Sequence, residues 1–275
     1  MKTDVTFKHP PVIETVLSIQ FERLPELTNA HLGAFWQQRK SEWPQANDAP
    51  PLEEQFETFG KQTGWQKGIH LKITQAPAAR LQMKNATGDR MIQLQNCRLD
   101  YNWIGQSKQK YPRYNTVRPE FDKILIAFEE LVTEHRLGDL VPNQWEVTYV
   151  NHIFKGEIWS NSEDWASLFK LPGLAVVPEG LRFEGFGGHW HFEIEPQRGR
   201  LHVAIQQALV GDPEKKEALV MNLTARGPIA NNQNAITAID EGLNLGHDVI
   251  VKSFRDLTSQ QAHDYWNREN HDADI

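Results

Sequence analysis

Apolar and polar residues follow two different periods along the chain, and each period predicts one kind of element. A β-branched, apolar run at residues 12–21 predicts a strand. Thr28 is placed to cap a helix that ends near Trp43-Pro44. Asp48-Ala-Pro-Pro51 predicts a loop, because two consecutive prolines sustain neither helix nor strand. The chain therefore begins as a strand, a helix and a loop.

Period-two alternation then predicts four short strands, at residues 70–74, 80–84, 92–95 and 98–103. One face of this sheet is expected to cover a core, and parity assigns Tyr101 and Trp103 to that face. The opposite face is basic and rich in glutamine, and we expect it to face solvent. A helix follows, with Pro119 in its first turn and an apolar stripe from Phe121 to Val132.

A second cycle repeats this order. It runs from a strand at residues 145–154 through a short helix at Ser162 to a long helix that carries Ile239 and Phe254. Thr258 and Gln261 have the spacing of a capping box for a last short helix. Four strands are predicted between the short and the long helix, near Leu181–Phe186, His189–Glu195, Leu201–Gln207 and Ala218–Thr224.

The predicted fold class is therefore α+β, with two β-α-β4-α halves whose antiparallel sheets pack on long helices. Residues 1–140 would form the N-terminal half, with the basic sheet face, and residues 141–275 the C-terminal half. This order of elements resembles that of the TATA-binding-protein-like and helix-grip folds. Each half could form its own sheet, or the two could join in one continuous sheet.

Composition narrows the class of protein. The chain is 39% hydrophobic and 24% charged, which is typical of a globular protein, and it has no apolar run long enough to span a bilayer. Because the first residues lack the apolar core of a signal peptide, we expect a cytoplasmic protein with no membrane contact. Its single cysteine, Cys97, excludes an intrachain disulfide and a cysteine-rich zinc site. We expect no cofactor.

Charge is distributed unevenly. Residues 61–118 carry eleven basic and two acidic residues, a net charge of +9, which leaves −16 for the rest of a chain of net charge −7. Such a segment predicts contact with nucleic acid, with an acidic partner, or with the acidic remainder of the fold. The candidate binding residues on the basic sheet face are Lys72, Arg80, Lys84 and Arg98.

Arg113 and Arg118 extend this candidate surface to the start of the following helix. Arginines there add to the positive end of the helix dipole, which is an unfavourable placement unless an anion or a carboxylate compensates it. Two interpretations follow: an anion site, or neutralisation by Glu120 or by an acid elsewhere in the fold.

One strand offers a metal-dependent alternative. Alternation in His189-Trp-His-Phe-Glu-Ile-Glu195 places both histidines on one polar face, and His202 would join them from the next strand. The alternative ligands for zinc, iron or manganese are His189, His191, Glu195 and His202. The second interpretation is the solvated face of an amphipathic strand.

Gly246-His247 interrupts the apolar stripe of the last long helix. Because glycine costs a helix about 1 kcal/mol relative to alanine, its presence there predicts close packing. His247 is expected to be a partly buried, hydrogen-bonded histidine without a catalytic role. The chain also lacks a Gly-x-Ser-x-Gly elbow, a phosphate-binding loop and a His-Glu-x-x-His motif.

Short segments that are spread over nearly the whole chain form a recognisable set. They are Pro10–Glu14, Arg90–Gln95, Asn102-Trp103, Tyr111–Tyr114, Tyr149–Asn151 and the residues His247-Asp248, Phe254, Leu257-Thr258 and Trp266. In these segments the chain resembles a sporadically distributed family of uncharacterised bacterial proteins. The resemblance implies a protein whose gene is carried by mobile elements or belongs to an antiphage-defence system. It supplies no enzymatic activity and no functional residues.

The leading functional hypothesis is a non-catalytic binding protein, a sensor, adaptor or antitoxin-like subunit of a bacterial defence system. Its partner would be a protein encoded nearby, and an exposed edge strand would favour a homodimer. The alternatives are a metal-dependent enzyme that uses the His189 strand and a nucleic-acid-binding protein that uses the basic sheet face.

Overall fold

The structure is a computed structural model that describes residues 5–59, 79–105, 110–170, 179–181, 183–211, 213–229 and 234–270. Across these residues, two short strands pair near the chain ends and nine strands form one large sheet. The strands are β1 Val5–Phe7, β2 Val12–Phe21, β3 Gln45–Ala49, β4 Arg80–Lys84, β5 Arg90–Gln95, β6 Arg98–Ile104, β7 Pro142–Phe154, β8 Gly187–Ile194, β9 Gly199–Val210, β10 Lys216–Pro228 and β11 Arg268–Asn270.

Five α-helices accompany these strands within the described part of the chain. They are α1 Asn29–Arg39, α2 Tyr114–Glu134, α3 Trp165–Leu168, α4 Ala235–Leu257 and α5 Gln260–Tyr265, and a 3-10 turn at Ser162–Asp164 precedes α3. None of the described helices is both long and apolar enough to cross a lipid bilayer.

The large sheet is antiparallel and has the strand order β3-β4-β5-β6-β2-β7-β10-β9-β8. Its two central strands, β2 and β7, pair directly, with Val16 opposite Thr148 and Gln20 opposite Gln144. On the side away from β7, β2 pairs with β6, the strand that precedes α2 along the chain. On the side away from β2, β7 pairs with β10, the strand that precedes α4. The order of elements is thus arranged symmetrically about the pair of central strands.

The two long helices cover one face of this sheet. Phe21 of β2 contacts Phe128 of α2, with ring centroids 5.5 Å apart, and both side chains are fully buried. On the same face, α4 packs on the neighbouring strands β7 and β10. Gly246 makes this possible, because a Cβ atom there would lie 2.9 Å from the Trp145 ring of β7. The close packing predicted at Gly246 is confirmed.

The predicted fold class, α+β with two β-α-β4-α halves, is wrong. One antiparallel sheet dominates the described structure, with only α1, α2 and α4 longer than seven residues. In the second cycle, residues 181 and 183–186 are not a strand, so β8, β9 and β10 are the only strands between α3 and α4 in the described residues. The direct pairing of β2 with β7 joins the two halves into one sheet, which is the second of the two arrangements given above.

Three local predictions need correction, and a fourth lies outside the described residues. Asp48 and Ala49, the first two residues of the predicted loop, belong to the edge strand β3, because pairing with β4 uses the main chain and needs no apolar side chain. Pro119 lies inside α2, which begins five residues earlier at Tyr114. Ser259, not Thr258, caps α5 through its side chain. The strand predicted at 70–74 lies outside the described residues.

Several predictions at the level of side chains are confirmed. The apolar stripe of α2 is buried, including Phe121, Phe128 and Val132. Tyr101 and Trp103 lie on the helix side of the sheet, where the Tyr101 hydroxyl donates to Glu120 of α2 at 2.9 Å. The strand expected at residues 12–21 is β2.

Candidate functional site

The sheet face opposite α2 and α4 carries a network of charged side chains. We call it the polar face. Alternation along each strand decides which side chains lie on this face. In β2, Leu17, Ile19 and Phe21 point to the helices, so Ser18 and Gln20 point away from them. The polar-face side chains of the network are Ser18, Arg98, Asp100, Glu146, Arg200, His202 and Arg226.

Positive and negative groups alternate across the middle of the polar face. The Arg98 guanidinium bonds to Asp100 on its own strand at 2.6 Å and to Glu146 on β7 at 2.6 Å. Glu146 also accepts a hydrogen bond from Arg226 of β10, and Ser18 of β2 donates to Asp100. The network therefore crosses the seam between β2 and β7.

Residues 52–57, which we call the covering segment, lie across one end of the polar face. Glutamine side chains hold the segment by pairing with its main chain. Gln95 exchanges two hydrogen bonds of 2.9 Å with Leu52, and Gln20 exchanges two of 2.7 Å with Gln55. Each amide supplies one donor and one acceptor, as a neighbouring strand would. The covering segment is thereby fixed to the sheet.

Glu57, in the covering segment, completes the network. Its side chain is only 3% exposed, and its carboxylate contacts Arg200, Arg226 at 3.2 Å and His202 at 2.6 Å. Burial opposes the ionisation of Glu57, but the hydrogen bond from His202 and the arginine charges outweigh it, so its pKa lies below the ordinary value. The pKa of Glu146 is also lowered, because Arg98 and Arg226 outweigh the effect of burial.

The expectation that this face is solvated and basic is therefore wrong for its central residues. Arg98 is only 7% exposed and Gln95 only 3%. Alternation assigns residues to a face, but it cannot show that a distant segment covers that face. The charges of Arg98, Arg200 and Arg226 are balanced by carboxylates within the protein.

The remaining predicted residues of the basic face are dispersed. Arg80 is half-buried on β4, and the carboxylate of Asp100 acts on it electrostatically. Lys84 lies at the other end of β4, where its charge acts on Glu14. Lys72 lies outside the described residues. Binding through these side chains stays a prediction.

The structure brings together only two of the four alternative metal ligands. His191 of β8 lies opposite His202 of β9, and their Nδ1 atoms are 2.8 Å apart, while the Nε2 atom of His202 contacts Glu57. His189 and Glu195 are exposed. In the part of the chain that the structure describes, no group of three or more His, Cys, Asp or Glu side chains is arranged to hold a metal ion. Metal binding stays a prediction.

A pocket of about 350 Å³ lies on the helix side of the sheet, between β1, β7, α4 and the start of α2. One of its walls is apolar. The side chains of this apolar wall are Phe7, Val12, Leu223, Ile250 and Phe254. The aromatic rings of Phe7 and Phe254 pack edge to face with centroids 5.4 Å apart, which fixes the end of the pocket at β1.

The lining also includes a chain of hydrogen-bonded polar groups, which we call the tyrosine–histidine chain. The hydroxyls of Tyr111 and Tyr149 are 2.8 Å apart, and the Tyr149 hydroxyl is 2.8 Å from Nδ1 of His247. Tyr114 stacks flat on His247 with ring centroids 4.1 Å apart, and its own hydroxyl donates to Asn244. Aromatic stacking and hydrogen bonds together fix the imidazole in place.

Burial keeps the tyrosine–histidine chain uncharged at neutral pH. Desolvation lowers the pKa of His247 to about 4, since a buried imidazolium loses its hydration. It raises the pKa of Tyr111 to about 12 and that of Tyr149 well above its ordinary value. The prediction of a partly buried, hydrogen-bonded His247 is confirmed.

The two arginines at the start of α2 have different environments. Arg118 is 9% exposed and pairs with Asp122 and with Asp240 of α4, so acids of the fold neutralise it. Glu120, the acid named in the sequence interpretation, pairs with Arg90 instead. Arg113 lines the pocket and donates one hydrogen bond, of 2.7 Å, to the carbonyl oxygen of Phe7.

Sequence reasoning missed the roles of Tyr149, Glu57 and Glu146. For Glu146 a signal existed, because a carboxylate inside an apolar strand indicates a buried ion pair. Glu57 and Tyr149 carried no local signal. Their partners lie between 38 and 169 residues away along the chain.

No protein-family model matches the sequence, and no curated protein matches it. The resemblance to the sporadically distributed bacterial family stays a prediction. Function has to be inferred from the geometry of the pocket and of the polar face.

Proposed function

We propose that this chain is a non-catalytic ligand-binding protein, a cytoplasmic sensor or adaptor, whose recognition site is the pocket between β1, β7, α2 and α4. The observation that carries the proposal is the combination of an apolar wall with a fixed polar chain around a cavity of about 350 Å³. Small-molecule sites are typically of this kind, with a few oriented polar groups in a largely apolar cavity.

The chemistry of the pocket favours binding over catalysis. A general base works best with a pKa near the operating pH, and burial holds the pKa of His247 at about 4. The thiol of Cys97 is buried outside the pocket beneath Gln95, and burial raises its pKa, so it is a poor nucleophile. These groups position a ligand better than they activate one.

The polar face supports neither alternative function as well. Nucleic-acid binding draws on cations that are free to neutralise phosphates, whereas Arg98, Arg200 and Arg226 already pair with buried carboxylates. The side chains of His191 and His202 contact each other, and His202 also contacts Glu57. The pocket is therefore the better candidate.

The ligand would control contact with a protein partner, encoded nearby, in a bacterial defence system. The resemblance to a family that implies antiphage cargo supports this role. The geometry supports it too, because the pocket touches β1, α2 and α4, so that a bound ligand would bridge elements from both ends of the chain.

The test is whether the untagged protein retains a small molecule in this pocket. Native mass spectrometry of the purified protein, followed by extraction, would identify the molecule. Val251→Trp fills the pocket from half-buried Val251 of α4, and Ile126→Trp adds the same side chain at a 56% exposed position of α2.

We expect a bound molecule in the wild type and in Ile126→Trp but not in Val251→Trp. Equal retention by all three proteins would place the ligand elsewhere and contradict the proposal.

A further inference from the structure

The charge of the pocket indicates the class of ligand. We infer that the pocket binds a small amphipathic monocarboxylate. The carboxylate of this ligand pairs with Arg113, and its hydrocarbon part lies against Phe7, Ile250 and Phe254. This inference rests on the proposed function, since it assigns a ligand class to the same pocket.

Arg113 is the first reason. Among the described residues that line the pocket there is no carboxylate, and Arg113 is the one side chain that is charged at neutral pH. It is half-buried, and nowhere in the described ranges does an acid pair with it; its hydrogen bond to Phe7 uses one of five donors. A carboxylate would supply the charge-assisted, two-pronged partner that a guanidinium favours.

The tyrosine–histidine chain is the second reason. It offers hydroxyl and imidazole groups but no second positive charge, because burial keeps His247 neutral. One cation matches a monoanion. A phosphate dianion would enter with one charge unbalanced. Arg118 does not line the pocket, and its charge is paired with Asp122 and Asp240.

The apolar wall is the third reason. Phe7, Ile250 and Phe254 present only hydrocarbon to the pocket, so the rest of the ligand should be apolar as well. The pocket lies near the lower end of the usual range for ligand sites, about 300–1,000 Å³. A chain of medium length therefore fits better than a long lipid.

The backbone at Arg113 provides a suitable variant. Its φ of 73° and ψ of 155° belong to a region that glycine occupies almost exclusively. Arg113→Gly therefore removes the guanidinium at a position where glycine fits the backbone better than arginine does. Loss of binding in this variant can then be separated from loss of folding.

The experiment is isothermal titration calorimetry of the 275-residue chain with octanoate, octanol and octylamine. These probes share one hydrocarbon chain and differ in charge. We expect octanoate to bind at least about tenfold more tightly than octanol, and octylamine not to bind. Arg113→Gly should weaken octanoate by about tenfold and change the affinity for octanol by less than about twofold.

Val251→Trp should abolish binding of octanoate and octanol, and Ile126→Trp should affect neither. Thermal unfolding of each variant confirms that it is folded. Equal affinity for octanoate and octanol, or octanoate binding unchanged by Arg113→Gly, would overturn the carboxylate inference while leaving a ligand pocket in place. If no probe binds and mass spectrometry finds no retained molecule, the proposed function fails as well.

Discussion

Tyr149 is the central member of the tyrosine–histidine chain, because its hydroxyl contacts both Tyr111 and His247. A buried hydroxyl in this position satisfies two neighbours at once. The pocket wall therefore depends on one oxygen atom, and substitutions along the chain should differ in cost according to how many hydrogen bonds each one removes.

Tyr149→Phe should lower the free energy of unfolding by about 2 kcal/mol, since it leaves two buried polar groups without their partner. Tyr111→Phe removes one bond from the end of the chain, and we expect about half of that loss. Urea unfolding of both variants measures the difference. Equal losses would show that Tyr149 does not link the other two side chains.

His247 should make stability depend on pH. Its pKa of about 4 in the native state lies below that of an unfolded histidine, about 6.5, so the unfolded chain binds more protons between these values. The contribution of the neutral imidazole is therefore complete above about pH 6.5 and is lost as the pH falls toward 4.

We expect the wild type to lose about 2 kcal/mol of unfolding free energy from this group between about pH 7 and about pH 5. His247→Asn keeps a hydrogen-bonding side chain but cannot titrate, so it should lack this part of the loss. Chemical denaturation of both proteins at each pH isolates the effect from the other acids and histidines. Parallel pH profiles of stability for the wild type and His247→Asn would contradict this prediction.

At the scale of elements, the position of α4 depends on two glycines. A methyl group on Gly246 would lie 2.9 Å from Trp145 and from Val147, and one on Gly242 would come closer still to Trp145. Neither contact is possible without moving the helix or the indole. The two glycines thus let α4 approach β7 closely enough to form the pocket wall that carries His247.

Gly242→Ala should therefore lower the unfolding free energy by about 2 kcal/mol, even though alanine is the better helix former. Gly33→Ala is the matched control in α1, because an added Cβ there meets no atom within 4 Å. It should raise stability by up to about 1 kcal/mol. Thermal unfolding of both variants gives the two signs. A stabilising Gly242→Ala would show that α4 does not pack tightly on Trp145.

The elements that could be predicted from the sequence are those with a strong local period. The stripe from Phe121 to Val132 and the alternation around Tyr101 place their side chains correctly, because burial on one face imposes that period. β3 lacks such a signal, since Gln45–Ala49 is a polar edge strand held by main-chain bonds. Pairing between β2 and β7 has no local signature either.

The candidate site was predictable only in part, for the same reason. Arg113 was identified through its place at a helix start, and Gly246-His247 through the interruption of a stripe. That Tyr111, Tyr149 and His247 meet depends on α4 packing against β7, and no short segment encodes that contact. Charge counting likewise indicated a basic segment without showing that Glu57 and Glu146 neutralise distant arginines.

At the scale of the whole molecule, the polar face connects the two halves of the chain. Glu146 accepts hydrogen bonds from Arg98 on one side of the β2–β7 pair and from Arg226 on the other. Both arginines are largely buried, so the energetic consequence of losing their common carboxylate is far greater than for an ion pair in water.

Glu146→Gln should lower the free energy of unfolding by about 3 kcal/mol, because it removes the carboxylate shared by two buried guanidinium groups and leaves Arg98 with Asp100 alone and Arg226 with Glu57 alone. The control is Glu217→Gln, which breaks the exposed pair with Lys155 and should cost less than about 1 kcal/mol. Urea unfolding followed by both tryptophan fluorescence and circular dichroism gives the two values. If the two probes give coincident transitions for Glu146→Gln, the sheet still unfolds as one unit. If Glu146→Gln loses no more unfolding free energy than Glu217→Gln does, the network does not hold the halves together.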